Sequence, residues 1–158
     1  MRTKRYFILS MLFIALTMTS CLKDDSLVNW DNAKPVIELP YTKHNTSTTV
    51  TAGTEVTFPL YVNYTIADWR NQNEDIVVGL GIDESQIGTS ILLPASTYNL
   101  PATMTITKQT QLAETELKIN TTGLATGTYA LPVVIKSVPA GYTISGNFGM
   151  MLFKVVIK

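Results

Sequence analysis

Leu124-Ala125-Thr126-Gly127-Thr128-Tyr129-Ala130-Leu131-Pro132-Val133-Val134-Ile135-Lys136 is the stretch on which the fold turns. Tyr129, Leu131, Val133 and Ile135 recur at every second position. That period puts one face of a strand into a core and leaves Lys136 outside. Just upstream, Leu124 and Gly127 stand five and two residues before Tyr129. This spacing resembles the tyrosine corner of Greek-key sandwiches, where a Tyr opening a strand bonds backbone a few residues upstream and fixes the crossover. A long alternating strand reached through such a corner predicts two packed sheets.

Working outward, Val56, Phe58, Leu60, Val62 and Tyr64 repeat the period against Thr57, Pro59, Tyr61 and Asn63. Ile76, Val78, Leu80 and Ile82 repeat it again, with Gly79 and Gly81 leaving the other face thin. Val36–Leu39, Ser90–Leu93, Tyr98–Leu100, Met104–Ile106 and Glu116–Ile119 add shorter segments. Met151, Phe153, Val155 and Ile157 close the chain, with Lys154 and Lys158 outward. Tyr41–Gly53 reads as a polar connection and Gly141–Gly149 as a loop bearing glycines and aromatics. Seven or eight short strands with turn signals between them, and no helical period, argue for an all-β sandwich over residues 35–158. Pro59 and Pro132 sit inside strands that the pattern places centrally, where a ladder donor is lost. They mark bulges, or else a different strand order.

The N-terminus has its own pattern. Arg2, Lys4 and Arg5 precede the uncharged apolar run Tyr6–Leu16, and small or hydroxyl residues follow. Residues 1–20 therefore read as a secretory signal peptide. The run is too short to span the membrane, which takes about 20 apolar residues. Cys21 is the single cysteine, so it has no internal disulfide partner. Its position resembles the lipobox of bacterial lipoproteins, although Met18 and Ser20 stand where Leu and Gly or Ala are usual. That resemblance implies an acylated thiol at the mature N-terminus, held in a bilayer by about 0.8 kcal/mol for each buried CH₂. Lys23-Asp24-Asp25 resembles the export signal of surface lipoproteins in Bacteroidetes-type bacteria. Residues 21–34 form the tether, reaching roughly 45 Å when extended. Trp30 lies within it, and Asp25-Ser26-Leu27 resembles a short O-glycosylation site of the same phylum. The expected address is the outer membrane, facing outward.

Charge narrows the function classes. The chain has 12 basic and 12 acidic residues, and loss of the leader leaves a net −3. No basic block is present, which argues against a nucleic-acid partner. Threonine occurs 23 times, a composition suited to pleated, half-buried surfaces. His44 stands alone, without the clustered ligands a metal needs. The sequons at Asn45, Asn63 and Asn120 read as chance in a Thr-rich chain. Glu74-Asp75 and Asp83-Glu84 are neighbours beside turns, whereas hydrolysis needs two carboxyls about 5 to 10 Å apart across a cleft. With no Ser–His–Asp set and no phosphate loop, neither catalysis nor a cofactor is expected.

Leu93-Pro94-Ala95-Ser96-Thr97-Tyr98, Met104-Thr105-Ile106 and Thr128–Ser137 resemble, in this order, three elements of a Bacteroidetes family, domain of unknown function 1735. These are its "LP…Y" element, its "tI" strand and its "tY-LPv-I-s" strand. The resemblance covers residues 35–158. It implies an immunoglobulin-like module at the N-terminus of surface lipoproteins, often ahead of a glycosidase or carbohydrate-binding module and near glycan-import systems. It also makes Pro132 a family habit. Because Lys158 ends the last strand, no downstream catalytic module is expected.

In such a sandwich the loop after the second strand and the loop before the last strand share one end. That would bring Trp69, Arg70, Asn71 and Asn73 near Tyr142, Asn147 and Phe148. Aromatic faces and amides are the usual pairing for sugar rings. Alternatively, Trp69 folds back as a lid on the core. The tether joins the same end. Two functions follow as expectations. One is a non-catalytic module accessory to glycan capture. The other is a structural subunit docking on neighbouring outer-membrane lipoproteins through an edge strand or the Gly79/Gly81 face.

Overall fold

Alternating burial runs the length of the first of the two longest strands, whereas the second also buries Ala130 and Pro132 on its other face. In β3 (Glu55–Thr65) Val56, Phe58, Leu60, Val62 and Tyr64 are buried, and in β8 (Gly127–Ser137) Tyr129, Leu131, Val133 and Ile135 are buried. The structure is a computed structural model describing residues 33–40, 46–66 and 68–158. The leader, Cys21, Lys23-Asp24-Asp25, the tether up to residue 32 and His44 lie outside the described residues.

The strands form two sheets. The first has the order β7 (Leu112–Asn120), β3, β1 (Val36–Glu38), β9 (Thr143–Ile144). The second has the order β2 (Ser47–Val50), β10 (Met150–Ile157), β8, β4 (Ile76–Ile82), β6 (Thr103–Ile106), with β5 (Ile91–Leu92) also pairing β8. The chain changes sheet at every step from one strand to the next except from β4 to β5 and from β5 to β6. This is an immunoglobulin-like Greek-key sandwich. Its core lies between the sheets, where Phe58 of β3 meets Phe153 of β10 with ring centroids 5.4 Å apart.

Ten strands are present among the described residues, more than the pattern predicted. β2 and β9 fall in segments read as loops. Tyr98–Leu100, read as a strand, makes only an isolated bridge between Tyr98 and Ile119. There the Asn99 side chain takes the Lys118 N–H at 2.6 Å, so the ladder does not propagate.

Tyr129 is buried at the head of β8, and Leu124 packs against the core. The turn before it is made by Gly123, whose φ of +78° only glycine adopts without strain, and Leu124 N–H donates to the Thr121 carbonyl at 3.1 Å. Gly127 instead provides room: a Cβ there would meet Ile91 Cδ1 at 3.4 Å.

Neither strand proline is a bulge. Tyr64 N–H donates to the Gln111 carbonyl, which sets even-numbered β3 amides toward β7. The ring nitrogen of Pro59 therefore faces the side where β1 pairs only residues 63–65. Pro132 sits where β8 exchanges one neighbour for another. Ala130 accepts from Leu93 after β5, and the Pro132 carbonyl accepts from Asp83 after β4. Only the terminal donor of the β4–β8 ladder is missing. The register irregularity lies elsewhere, between Gly79 and Leu80 opposite Ile135–Ser137.

The order of the strands defines two poles. At one, β1 begins beside Thr65 and Thr143, with the Thr143 N–H donating to the Pro35 carbonyl at 2.8 Å. The 66–75 and 138–149 connections lie at this pole. At the other, Ile157 pairs with Gly127, and Thr121, fully buried, donates through N and Oγ1 to the Thr54 carbonyl.

Candidate functional site

The connection after β3 is short and self-bonded. Trp69–Asn71 is a single 3-10 turn, and Asn71 Nδ2 donates to Asp68 Oδ2 at 2.7 Å. Trp69 is half-buried and packs against the core, and the Arg70 guanidinium lies 5.7 Å from its ring centroid. Arg70 Nε also approaches Asp68 Oδ1 at 3.6 Å, but that pair is exposed and contributes little. The arrangement of Trp69 is the lid on the core rather than a free platform.

Beneath this loop lies a cavity of about 350 Å³, lined by Tyr64, Ile66, Asp68, Asn71, Gln72, Asn73, Glu74 and Tyr142. Its apolar wall is a pair of tyrosines, Tyr64 at the end of β3 and Tyr142 in the connection before β10. Their ring centroids are 5.9 Å apart and their planes are tilted by 51°. Burial pushes the Tyr64 phenol above its usual range, and the neighbouring Tyr142 adds to the shift. Both desolvation and a nearby phenol disfavour the phenolate.

Asn71, Asn73 and Tyr142 thus meet in one cavity, with Trp69 and Arg70 stacked on each other beside it. Asn147 and Phe148 are not among its lining residues. Phe148 is 43% exposed, and its carbonyl accepts the Leu39 N–H at 2.7 Å. Tyr64, Ile66, Asp68, Gln72 and Glu74 join the cavity without having been singled out in the sequence. The signal for Tyr64 was present, since it is the last inward residue of an alternating strand that runs into a polar loop. For Gln72, buried among charged neighbours, the sequence carries no signal.

The adjacent acid pairs have structural partners. Asp75 Oδ1 accepts the Lys108 N–H at 2.8 Å, joining the β3–β4 loop to the end of β6. Asp83 accepts from Ser85 Oγ and N, and these bonds hold its carboxyl below the usual range. Among the described residues no group of three His, Cys, Asp or Glu side chains is placed to hold a metal. Among the same residues no helix is long and apolar enough to cross a membrane.

The Gly79/Gly81 face is not bare. A Cβ on Gly79 would lie 2.3 Å from Ser137 Oγ, and one on Gly81 would lie 2.8 Å from Lys136 Cγ and Cε. The side chains of the irregular end of β8 cover the thin face of β4.

Comparison with known proteins places this fold. A family model described as an N-terminal domain matches residues 34–141. A two-domain protein of unknown function from Bacteroides fragilis is similar with a TM-score of 0.59 and 14% identity, over 79% of this chain and 46% of that one. A multidomain protein including domain of unknown function 1735, from Bacteroides ovatus, gives 0.55 and 16%, over 78% and 45%. A candidate carbohydrate-binding protein from Bacteroides ovatus gives 0.55 and 17%, over 70% and 34%. This chain spans less than half the length of these three structures, and at such identities they show a shared fold. No curated protein matches. The family match covers well over half of the chain, and with it the protein belongs to the family of N-terminal domains that this model describes.

Proposed function

We propose that this chain is a non-catalytic surface module accessory to glycan capture, held to the outer membrane by acyl chains on Cys21 and carried outward by the Lys23-Asp24-Asp25 signal. The observation that carries the glycan half is the tyrosine-walled cavity. A ring face from Tyr142 and amides from Asn71 and Asn73 converge there, the combination by which a site offers apolar area and directional hydrogen bonds to a sugar. The similarity to a candidate carbohydrate-binding protein supports the same reading.

A panel of bacterial, plant and host glycans, followed by calorimetry, tests it. Wild type binds at least one glycan, and Tyr142→Ala weakens that binding about tenfold or more, the loss of one well-stacked ring. A wild-type protein that binds none overturns the glycan reading. The address is tested on cells: replacing Lys23, Asp24 and Asp25 with Ala makes the protein resistant to protease added outside, and unchanged digestion removes the export signal.

One observation favours the structural reading. Val77 is 51% exposed and Met150 is 37% exposed on the second sheet, and exposed apolar area is what a docking partner covers. Crosslinking on intact cells followed by mass spectrometry separates the two. A partner recovered reproducibly, together with an empty glycan panel, would select docking.

A further inference from the structure

The open edges of the two sheets are not alike. An edge strand presents unpaired N–H and C=O groups to any chain that can lie beside it, and proteins blunt such edges with charges, prolines, very short strands or covering segments. β9 is only two residues long. β7 carries Glu114, Glu116 and Lys118, and Asn99 clasps it, its N–H donating to the Lys118 carbonyl and its Oδ1 accepting the Lys118 N–H. β6 and β7 flank a cavity of about 420 Å³ lined by Glu114, so a chain reaching the edge of β6 would have to enter between the two sheets. The open side of β3 beyond β1 carries Pro59.

β2 has neither charge, proline nor clasp. It is the outermost strand of the second sheet, and Thr46–Thr54 contains no charged residue and no proline. The Thr46 and Val50 carbonyls accept from Lys154 and Lys158, so the even-numbered residues direct their backbone groups to β10. Ser47 and Thr49, whose side chains are exposed, turn their N–H and C=O groups to the other side, where no strand pairs among the described residues.

We propose that β2 pairs antiparallel with β2 of a second copy, joining the second sheets of both into one continuous sheet. The strand is its own complement. A two-fold axis at Thr48 sets Ser47 opposite Thr49 of the second copy, and Thr49 opposite Ser47, so every outward N–H and C=O of β2 finds a partner. Thr48 then meets Thr48 of the second copy as a non-hydrogen-bonded pair, with Cα atoms about 4.5 Å apart. Cross-strand threonine pairs are favourable, and no like charges come face to face. One patch meeting itself also closes at two copies. Strands of four residues bury less than the roughly 1,200 Å² of a stable interface, so the pair is weak in dilute solution and is strengthened wherever copies share one surface. Antiparallel pairing points the cavity poles of the two copies in opposite directions. The inference stands apart from the glycan-capture reading.

The experiment is disulfide trapping on the full purified chain carrying Cys21→Ser, which removes the single native thiol. At about 1 mM a pair of millimolar affinity is populated. Mild oxidation then converts the Thr48→Cys chain to a covalent dimer, because Cα atoms about 4.5 Å apart suit a disulfide. Ser47→Cys and Thr49→Cys, whose own counterparts lie a diagonal of roughly 7–8 Å away, give about tenfold less. Adding Ser47→Lys and Thr49→Lys sets lysine opposite lysine and removes the dimer from the Thr48→Cys chain. If the double lysine variant fails to fold, the order of the three cysteine yields decides alone. Equal yields at the three positions, or the highest yield at Ser47 or Thr49, overturn the inference, as does the absence of a dimer from Thr48→Cys. Each of these failures leaves the outcome of the glycan panel untouched.

Discussion

Tyr64 shows how one residue can serve core and site together. Its ring completes the inward row of β3, and its hydroxyl end borders the cavity beside Tyr142. Because the fold raises its phenol above the ordinary value, the neutral form is preferred in the folded state. The stabilisation that follows is complete below pH 10 and is lost as pH rises through the folded value. Urea unfolding between pH 8 and about 11 therefore shows an alkaline decline in wild type that is smaller in Tyr64→Phe. Identical alkaline limbs would show that Tyr64 ionises freely. Gln72 is the opposite case, a residue whose role is invisible until its neighbours are placed. Nothing about a glutamine between Asn71 and Asn73 distinguishes it from a solvated side chain.

At the scale of elements, strands with one face in the core were legible, and those without one were not. β3, β4 and β10 each bury alternate residues, β8 buries its inward row together with Ala130 and Pro132, and the boundaries of all four follow the pattern closely. β2, Ser-Thr-Thr-Val, has no fully buried residue and pairs only with β10 along one edge. Its backbone bonds hold it in place, and backbone bonds leave no trace in side-chain periodicity. The prolines misled for the same reason, since a ladder's vacant rungs are set by neighbours and not by the strand's own sequence. The candidate site was legible as a meeting of two connections, because Greek-key order alone dictates it, but not as a cavity. The fit of β4 against β8 can be measured. Gly79→Ala brings its Cβ onto Ser137 Oγ, an exposed hydroxyl that turns to another rotamer, and destabilises by about 1 kcal/mol or less. Adding Ser137→Ala removes the clash and restores most of the loss. A double-mutant cycle in urea reports this coupling, and strictly additive effects would refute the contact.

For the whole molecule, the orientation of the chain matters more than any single contact. Residues 33–35 join the pole that holds the cavity, and Lys158 leaves from the opposite one. The described chain therefore enters the sandwich at the pole that holds the tyrosine-walled cavity. A glycan would be approached from the flank or with the tether bent, and shortening residues 22–34 is expected to weaken capture on cells without weakening it in solution. Surface-bound glycan measured against calorimetry on purified protein separates these effects, and equal losses in both would remove the idea.

The parallel pairing of β2 with β10 acquires a mechanical meaning from the same layout. Once an N-terminal pull has drawn β1 away from β3 and β9, tension between the start of β2 and a load at Lys158 draws β2 and β10 past each other lengthwise. The rungs from Lys154–Thr46 to Lys158–Val50 are then sheared together instead of being unzipped singly. Pulled end to end in a force microscope, the domain should release β1 at low force and then yield at one high force. Thr48→Pro, which deletes a donor in the middle of that ladder, should lower the force.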